Sequence, residues 1–230
     1  MKLTYFGHSA FLFDDGQQHT VLLDPFMSSN PTCGTSPSDV NPDAILLTHA
    51  HNDHVGDTVS IATRSEAKVF ATVELANFLS SQGVENVVGA NHGGTVTFPG
   101  GTAKFVPAWH SSSYTTEDGT VVASGVPAGF VIRFGGKTIY AAGDTALFMD
   151  MQLIGDEEID IALLPIGDHF TMGPEDARKA IDYLRPGTVV PCHCNTFPAI
   201  EQDRDAFRNR VEGETATRVV VMDPDTSRDF

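Results

Sequence analysis

Ala44-Ile45-Leu46-Leu47-Thr48-His49-Ala50-His51-Asn52-Asp53-His54 is the stretch that decides the fold. Four apolar residues in a row read as a short buried strand, and the strand empties into a loop with four potential metal ligands in six residues. His49 and His51, two apart, can turn toward one ion. Asp53 and His54 lie further round the turn and can face a second. Imidazole with carboxylate is the ligand set that suits zinc, and also manganese or iron. An ordinary solvated loop does not concentrate ligands this densely.

Further ligands are expected where other strands end. His110 follows Phe105-Val106-Pro107-Ala108-Trp109, His193 follows Val189-Val190-Pro191-Cys192, and Asp144 follows Ile139–Ala142. Gly143 lets the backbone approach closely beside Asp144. With the loop, these residues complete a set of seven.

Outward from the loop, apolar alternation and turn residues predict strands at Leu3–Phe6, Ala10–Phe13, Thr20–Leu23, Ala44–Leu47, Lys68–Ala71 and Thr95–Phe98. Later strands are expected at Ala103–Ala108, Phe130–Phe134, Thr138–Ala142, Ile159–Leu164, Thr188–Pro191 and Arg218–Met222. Helices are expected at Val55–Arg64, Val73–Gln82, Pro174–Leu184 and Ala199–Val211. The third has Pro in its first turn and Glu175 and Asp176 near its positive end. A faint repeat runs through this order. The segments Ala10–Phe13 to Asp24 and Gly129–Ile132 to Asp144 each read as a hairpin ending in aspartate, and each is followed by Asp-x-x-Leu-Leu. Two such halves predict two sheets packed face to face with helices outside, in a single domain spanning residues 1–230.

Composition narrows the function. The net charge of −16 repels nucleic-acid backbones and anionic membranes, and none of the 14 Lys and Arg form a basic run. No apolar run approaches the ~20 residues of a membrane helix. Met1-Lys2 leads directly into a strand pattern, which leaves no room for a signal peptide. Three cysteines do not make a disulfide framework, and a cytoplasmic location is the simplest expectation. Cys192 and Cys194 flank His193 and read as packing residues, since strand alternation would turn both away from the face that His193 uses. Cys33 reads as a loop thiol without a role.

The chain resembles the metallo-β-lactamase superfamily, and most closely its small metal-dependent hydrolases related to L-ascorbate-6-phosphate lactonase. The matching stretches begin with Leu3–Ser9, Leu23-Asp24-Pro25-Phe26 and Leu47–His54, and continue with Pro127–Phe130 and Ala142-Gly143-Asp144-Thr145. They end with Pro165–Ala177 and His193-Cys194-Asn195-Thr196-Phe197, so the likeness covers nearly the whole chain. It implies an α/β architecture, the four-layer αββα sandwich. It further implies that His49, His51 and His110 hold a first metal, that Asp53, His54 and His193 hold a second, and that Asp144 bridges them. Zinc is the expected metal; the same ligands accept manganese, iron or nickel.

Two dications outweigh two carboxylates, so the site would be locally positive within an acidic protein. Metal-bound water has its pKa brought down toward ~7, which makes hydroxide available for attack on a carbonyl or phosphoryl centre. Asp53 could take the proton as that hydroxide attacks. The expected substrate is a small anionic molecule such as a sugar-phosphate lactone. Asp24 is a candidate to orient a ligand imidazole. His8 and Asn195 are candidates for substrate contact, and Asp168 and His169 for substrate contact or proton delivery. Ser111-Ser112-Ser113 reads as a polar turn at the rim. The competing readings are a phosphodiesterase or nuclease of the same fold, a thioester hydrolase or lactonase acting on a neutral, apolar ligand, for which Phe26, Phe170, Phe197 and Trp109 are available to form an aromatic mouth, and a non-catalytic metal-binding protein. A homo-oligomer is left open.

Overall fold

The computed structural model describes all 230 residues. In its first half the strands are β1 (Lys2–Gly7), β2 (Ala10–Asp14), β3 (Thr20–Leu23), β4 (Ala44–Leu46), β5 (Lys68–Thr72) and β6 (Val87–Ala90). The helices there are α1 (Asn52–Val55), α2 (Thr58–Ser65) and α3 (Val73–Ser81). The second half holds β7 (Thr95–Phe98), β8 (Gly101–Pro107), β9 (Ser113–Thr115), β10 (Val121–Ala123), β11 (Ala128–Phe134) and β12 (Lys137–Ala141). It continues with α4 (Met151–Gly155), β13 (Ile161–Pro165), α5 (Pro174–Leu184), β14 (Thr188–Cys192), α6 (Arg204–Glu214), β15 (Arg218–Val219) and β16 (Thr226–Asp229).

Two seven-stranded sheets result, in the orders β16-β1-β2-β3-β4-β5-β6 and β15-β14-β13-β12-β11-β8-β7. Each half repeats one plan. An antiparallel hairpin, β2–β3 or β11–β12, is followed by parallel strands, β4 and β5 or β13 and β14. The parallel strands are buried along their length, which explains their continuous apolar sequence. Leu3, Phe11, Phe13, Leu46, Phe105, Phe130 and Leu163 meet between the sheets in the central core. A second core packs the outer face of the second sheet, through Tyr140, Leu164 and Val189, against Ile154, Ile181 and Phe207 of the helices. A third packs Leu22, Ile45 and Val69 of the first sheet against Ile61, Leu75 and Leu79. These are the four layers expected from the sequence. No helix is long and apolar enough to cross a membrane.

Local departures have identifiable causes. The expected helix Val55–Arg64 is broken at Gly56, whose φ is +42° and where a Cβ would meet the Pro25 carbonyl oxygen. Helix α6 begins at Arg204 instead of Ala199, because the Asp203 carboxylate caps it by accepting from Asp205 N at 3.0 Å and Ala206 N at 2.9 Å. The strand expected over Arg218–Met222 pairs only at Arg218 and Val219. Strands β6, β9, β10 and β16 and helix α4 were not legible. Every residue of β16 is exposed, so it carries no apolar alternation.

Cys192 and Cys194 are buried packing residues as expected, but they do not share a face. Strand β14 ends at Cys192, and His193 has a left-handed φ of +49°, so strict alternation stops there. Cys192 joins the core between the sheets and Cys194 joins the core under the helices.

Candidate metal centre

The loop after β4 turns at once into α1, which swings Asp53 and His54 round behind His49 and His51. His110 arrives beyond the end of β8, Asp144 after β12 and His193 after β14, so all seven side chains converge from strand ends. Ligand atoms of His49, His51 and His110 lie within 4.8 Å of one another. So do those of Asp53, His54 and His193, a group that also includes His8. Asp144 reaches into both groups: one oxygen lies 3.0 Å from His193 Nε2 and 3.6 Å from His110 Nε2, and the other 3.3 Å from His54 Nε2.

These approaches are short, yet they lack the angles of hydrogen bonds. His54 Nε2, both nitrogens of His193 and Asp144 Oδ1 are buried without a hydrogen-bond partner. Orphaned buried atoms that face one another are what a cation-binding site leaves when only its protein groups are considered. The donor set, imidazole and carboxylate, also suits zinc and its neighbours. The residues therefore fit divalent metal ions.

Behind these side chains lies a buried bonding chain. Asp24 Oδ2 accepts from His54 Nδ1 at 2.8 Å and from the Thr48 hydroxyl at 2.6 Å. The Thr48 oxygen in turn stands 3.0 Å from His49 Nδ1. With both Nδ1 atoms donating, the Nε2 lone pairs of His49 and His54 face inward, one in each group. One close approach allows this chain: Gly143, at φ +62°, leaves room for Thr48; separately, Gly167 leaves room for the His193 carbonyl.

His8 is buried and spans two partners, Asp53 Oδ2 and Thr196 Oγ1, each at 3.0 Å. Burial and the nearby His193 push its imidazole down to about 4, against the pull of Asp53. Burial and His54 likewise hold His49 well below the ordinary histidine range. Burial also works against a charge on His54, but Asp144 and Asp24 outweigh it and raise His54 well above that range. Burial would raise Asp144, but His193 and His54 hold it well below the usual carboxylate range. The cluster thus settles positive charge between its carboxylates, where a metal ion would displace the proton.

A cleft of about 370 Å³ opens onto these groups, lined by His51, Asp53, His110, Ser111, Asp144, Phe170 and His193. Ser111 belongs to its wall, with Oγ 3.3 Å from His51 Nε2. The other candidates lie elsewhere. Asn195 spends its side chain on Gln202, accepting from the backbone N at 2.7 Å and donating to the carbonyl at 3.1 Å. Asp168 and His169 are exposed and outside the cleft lining, and the His169 ring meets Phe170 edge-on. Sequence reasoning missed Thr48 and Thr196; of the four aromatics it named for an apolar mouth, Phe26, Phe170, Phe197 and Trp109, only Phe170 lines the cleft. Thr48 stood inside the quoted stretch, but a hydroxyl one position from a histidine carries no signal of its own.

A family model described as a beta-lactamase superfamily domain matches residues 19–194. A UPF0173 metal-dependent hydrolase of Thermus thermophilus is 51% identical over 210 residues, covering 91% of each chain. Another from Methanopyrus kandleri is 46% identical over 230 residues, covering 99% of each. Among solved structures, Igni18, a metallo hydrolase from the hyperthermophilic archaeon Ignicoccus hospitalis, superimposes with a TM-score of 0.87 at 41% identity, covering 100% of this chain and 98% of that one. With its histidines and aspartates gathered at the strand ends of a four-layer sandwich, the chain belongs to the beta-lactamase superfamily and, within it, to the UPF0173 metal-dependent hydrolases.

Proposed function

We propose that the chain is a dinuclear hydrolase that attacks a carbonyl or phosphoryl centre of a small anionic molecule. The observation that carries this reading is the set of buried, unpartnered atoms on His54, His193 and Asp144. Each such atom costs about 1–3 kcal/mol unless a further partner completes it. His49, His51 and His110 would hold one cation, and Asp53, His54 and His193 the other, with Asp144 between them. Two zinc ions so held would supply an acidified water as nucleophile and a Lewis acid for the attacked oxygen.

The chain's own residues do the rest. Asp53 is partly open to the cleft while Asp144 is enclosed, which makes Asp53 the better placed of the two to accept a proton. His8, itself held by the Thr196 hydroxyl, holds Asp53 from behind. Ser111 offers a hydroxyl at the rim, and Phe170 walls one side. No Lys or Arg lines the cleft, so attraction for an anion, such as a sugar-phosphate lactone, rests on the cations alone. The same absence speaks against a nuclease.

One observation favours a second reading. Phe170 is 54% exposed while lining the cleft, an aromatic wall suited to a neutral ester, lactone or thioester.

Elemental analysis, paired with hydrolysis of phosphate-lactone, phosphodiester and neutral ester panels before and after chelation, tests the proposal. Two metals per chain with chelator-sensitive turnover is the expected result. No turnover after reloading zinc or manganese would overturn it.

A further inference from the structure

At the end of the sandwich remote from the histidines, a groove of about 830 Å³ runs between β15 and β16, the edge strands of the two sheets. Lys137, Arg218 and Arg228 line it. Their register is unusual for charged residues. Lys137 pairs with Phe134, Arg228 with Leu3, and Arg218 with Thr188, which itself pairs with Ile161. Phe134, Leu3 and Ile161 all belong to the core between the sheets. Cross-strand partners share a face, so all three cations occupy inward-facing positions, where the pattern of both sheets calls for apolar residues.

None of the three has a carboxylate partner. The chain carries 30 carboxylate side chains and 14 Lys and Arg, and eight of those cations hold a carboxylate within 4.0 Å. Three of the remaining six meet in this one groove, two from one sheet and one from the other. The acidic residues nearby do not neutralise them. Asp160 accepts from Thr138 N at 2.8 Å, and Asp229 pairs with Lys2, one position out of phase with the inward face. Val220 and Phe230 add apolar wall where they pack against the central core.

We propose that this groove binds a phosphate-bearing small molecule, gripped by Arg218 and Lys137 of one sheet and Arg228 of the other. Guanidinium forks match phosphate oxygens in pairs, and a cleft of this size takes a nucleotide-sized ligand. The site is separate from the metal centre. Thr188 begins β14 and His193 follows its end, a separation of roughly 16 Å of extended chain. Lys137 and Asp144 stand at opposite ends of β12 in the same way.

Zinc-loaded, isotope-labelled protein titrated with pyrophosphate and with adenosine diphosphate, and followed by amide NMR, tests this. Saturable shifts are expected at Thr188, Arg218, Val219 and Arg228, whatever happens near His110. The paired substitution R218Q/R228Q should weaken those shifts at least tenfold, and K137Q alone should weaken them less. Inward charges on edge strands can also serve only to repel strand addition. Absence of shifts in the groove at millimolar ligand, or equal shifts in the variants, would leave only that role and overturn the proposal.

Discussion

Asp24 accepts the Nδ1 proton of His54 across 2.8 Å, with both side chains wholly shielded from water. Through Thr48 the same carboxylate also governs His49. One residue that touches no cleft surface therefore orients a histidine of each ligand group. Asp24→Asn would set an NH₂ either against the two donors that meet Oδ2, His54 Nδ1 and the Thr48 hydroxyl, or against the Thr48 N–H that meets Oδ1. Metal affinity is expected to fall about 10- to 100-fold, as for other partners of ligating histidines. Competition with a chelator, on protein shown to be folded by circular dichroism, measures it. Unchanged affinity would remove Asp24 from the orienting chain.

The two ligand groups predict distinct losses. His110→Ala removes a half-buried member of the first group and leaves Asp53, His54 and His193 untouched. Metal content is expected to drop from two ions per chain toward one, with turnover reduced at least 100-fold. Elemental analysis of the purified variant reads the first, and steady-state kinetics the second. A variant that keeps both metals would show that the histidines are not grouped as the distances suggest.

Most of the architecture was legible because it follows from apolar patterning. Ala44–Leu46 and Ile161–Pro165 are buried on both faces, and their sequences contain nothing else. The candidate metal-binding positions stood out because each lies just past a strand end, after a fully buried run for His49 and after a half-buried strand for His110. What could not be read depends on distant parts of the chain. Asn195 looked like a neighbour of His193, but a left-handed turn at both residues sends its side chain to Gln202. Phe170 stood among four candidate aromatics, and what singles it out is the fold of its loop, which no periodicity reports. Strand β16 is held by pairing with β1 and not by burial, so its exposed sequence gave no sign of it.

Gly143 joins backbone geometry to metal affinity. A Cβ there would come within 2.8 Å of Thr48 Cβ, and the residue sits at φ +62°. Gly143→Ala is expected to destabilise the protein by about 1–3 kcal/mol. By displacing Thr48 it should also weaken metal binding. Thermal melts of the metal-loaded protein and chelator competition separate the two effects. A lower Tm with unchanged metal affinity would mean that Thr48 does not transmit the strain to His49.

Cys33 should be an unreactive thiol at neutral pH. Its burial and the Asp225 carboxylate push its pKa up to about 11, and its sulfur lies 3.7 Å from Asp225 Oδ1. The thiolate is the reactive form, so at pH 8 only about one thiol in 1,000 is available. Because the pKa is raised, alkylation should accelerate about tenfold per pH unit from 8 to 10 and level off near 11. Mass spectrometry of iodoacetamide-treated protein measures the rate at Cys33, since Cys192 and Cys194 are buried. A rate that levels off near pH 8 would contradict the raised pKa.

Phe170 decides between the two substrate readings. It is the sole large apolar side chain in the cleft lining, and it lies in the loop after β13 beside the exposed His169. If the substrate carries an apolar group, that group must pack on this ring, and Phe170→Ala should raise KM about 10-fold or more for neutral esters, equivalent to roughly 1.4 kcal/mol. A small anionic substrate held by the metals alone should lose little, with KM changed less than about threefold. Because the ring is exposed, the substitution removes no core packing, and metal content should not change. The ratio of kcat/KM between a neutral lactone and a phosphate-lactone, before and after the substitution, reads the answer. A variant that discriminates as the parent does would show that Phe170 takes no part in specificity, and would leave the cations as the source of substrate preference.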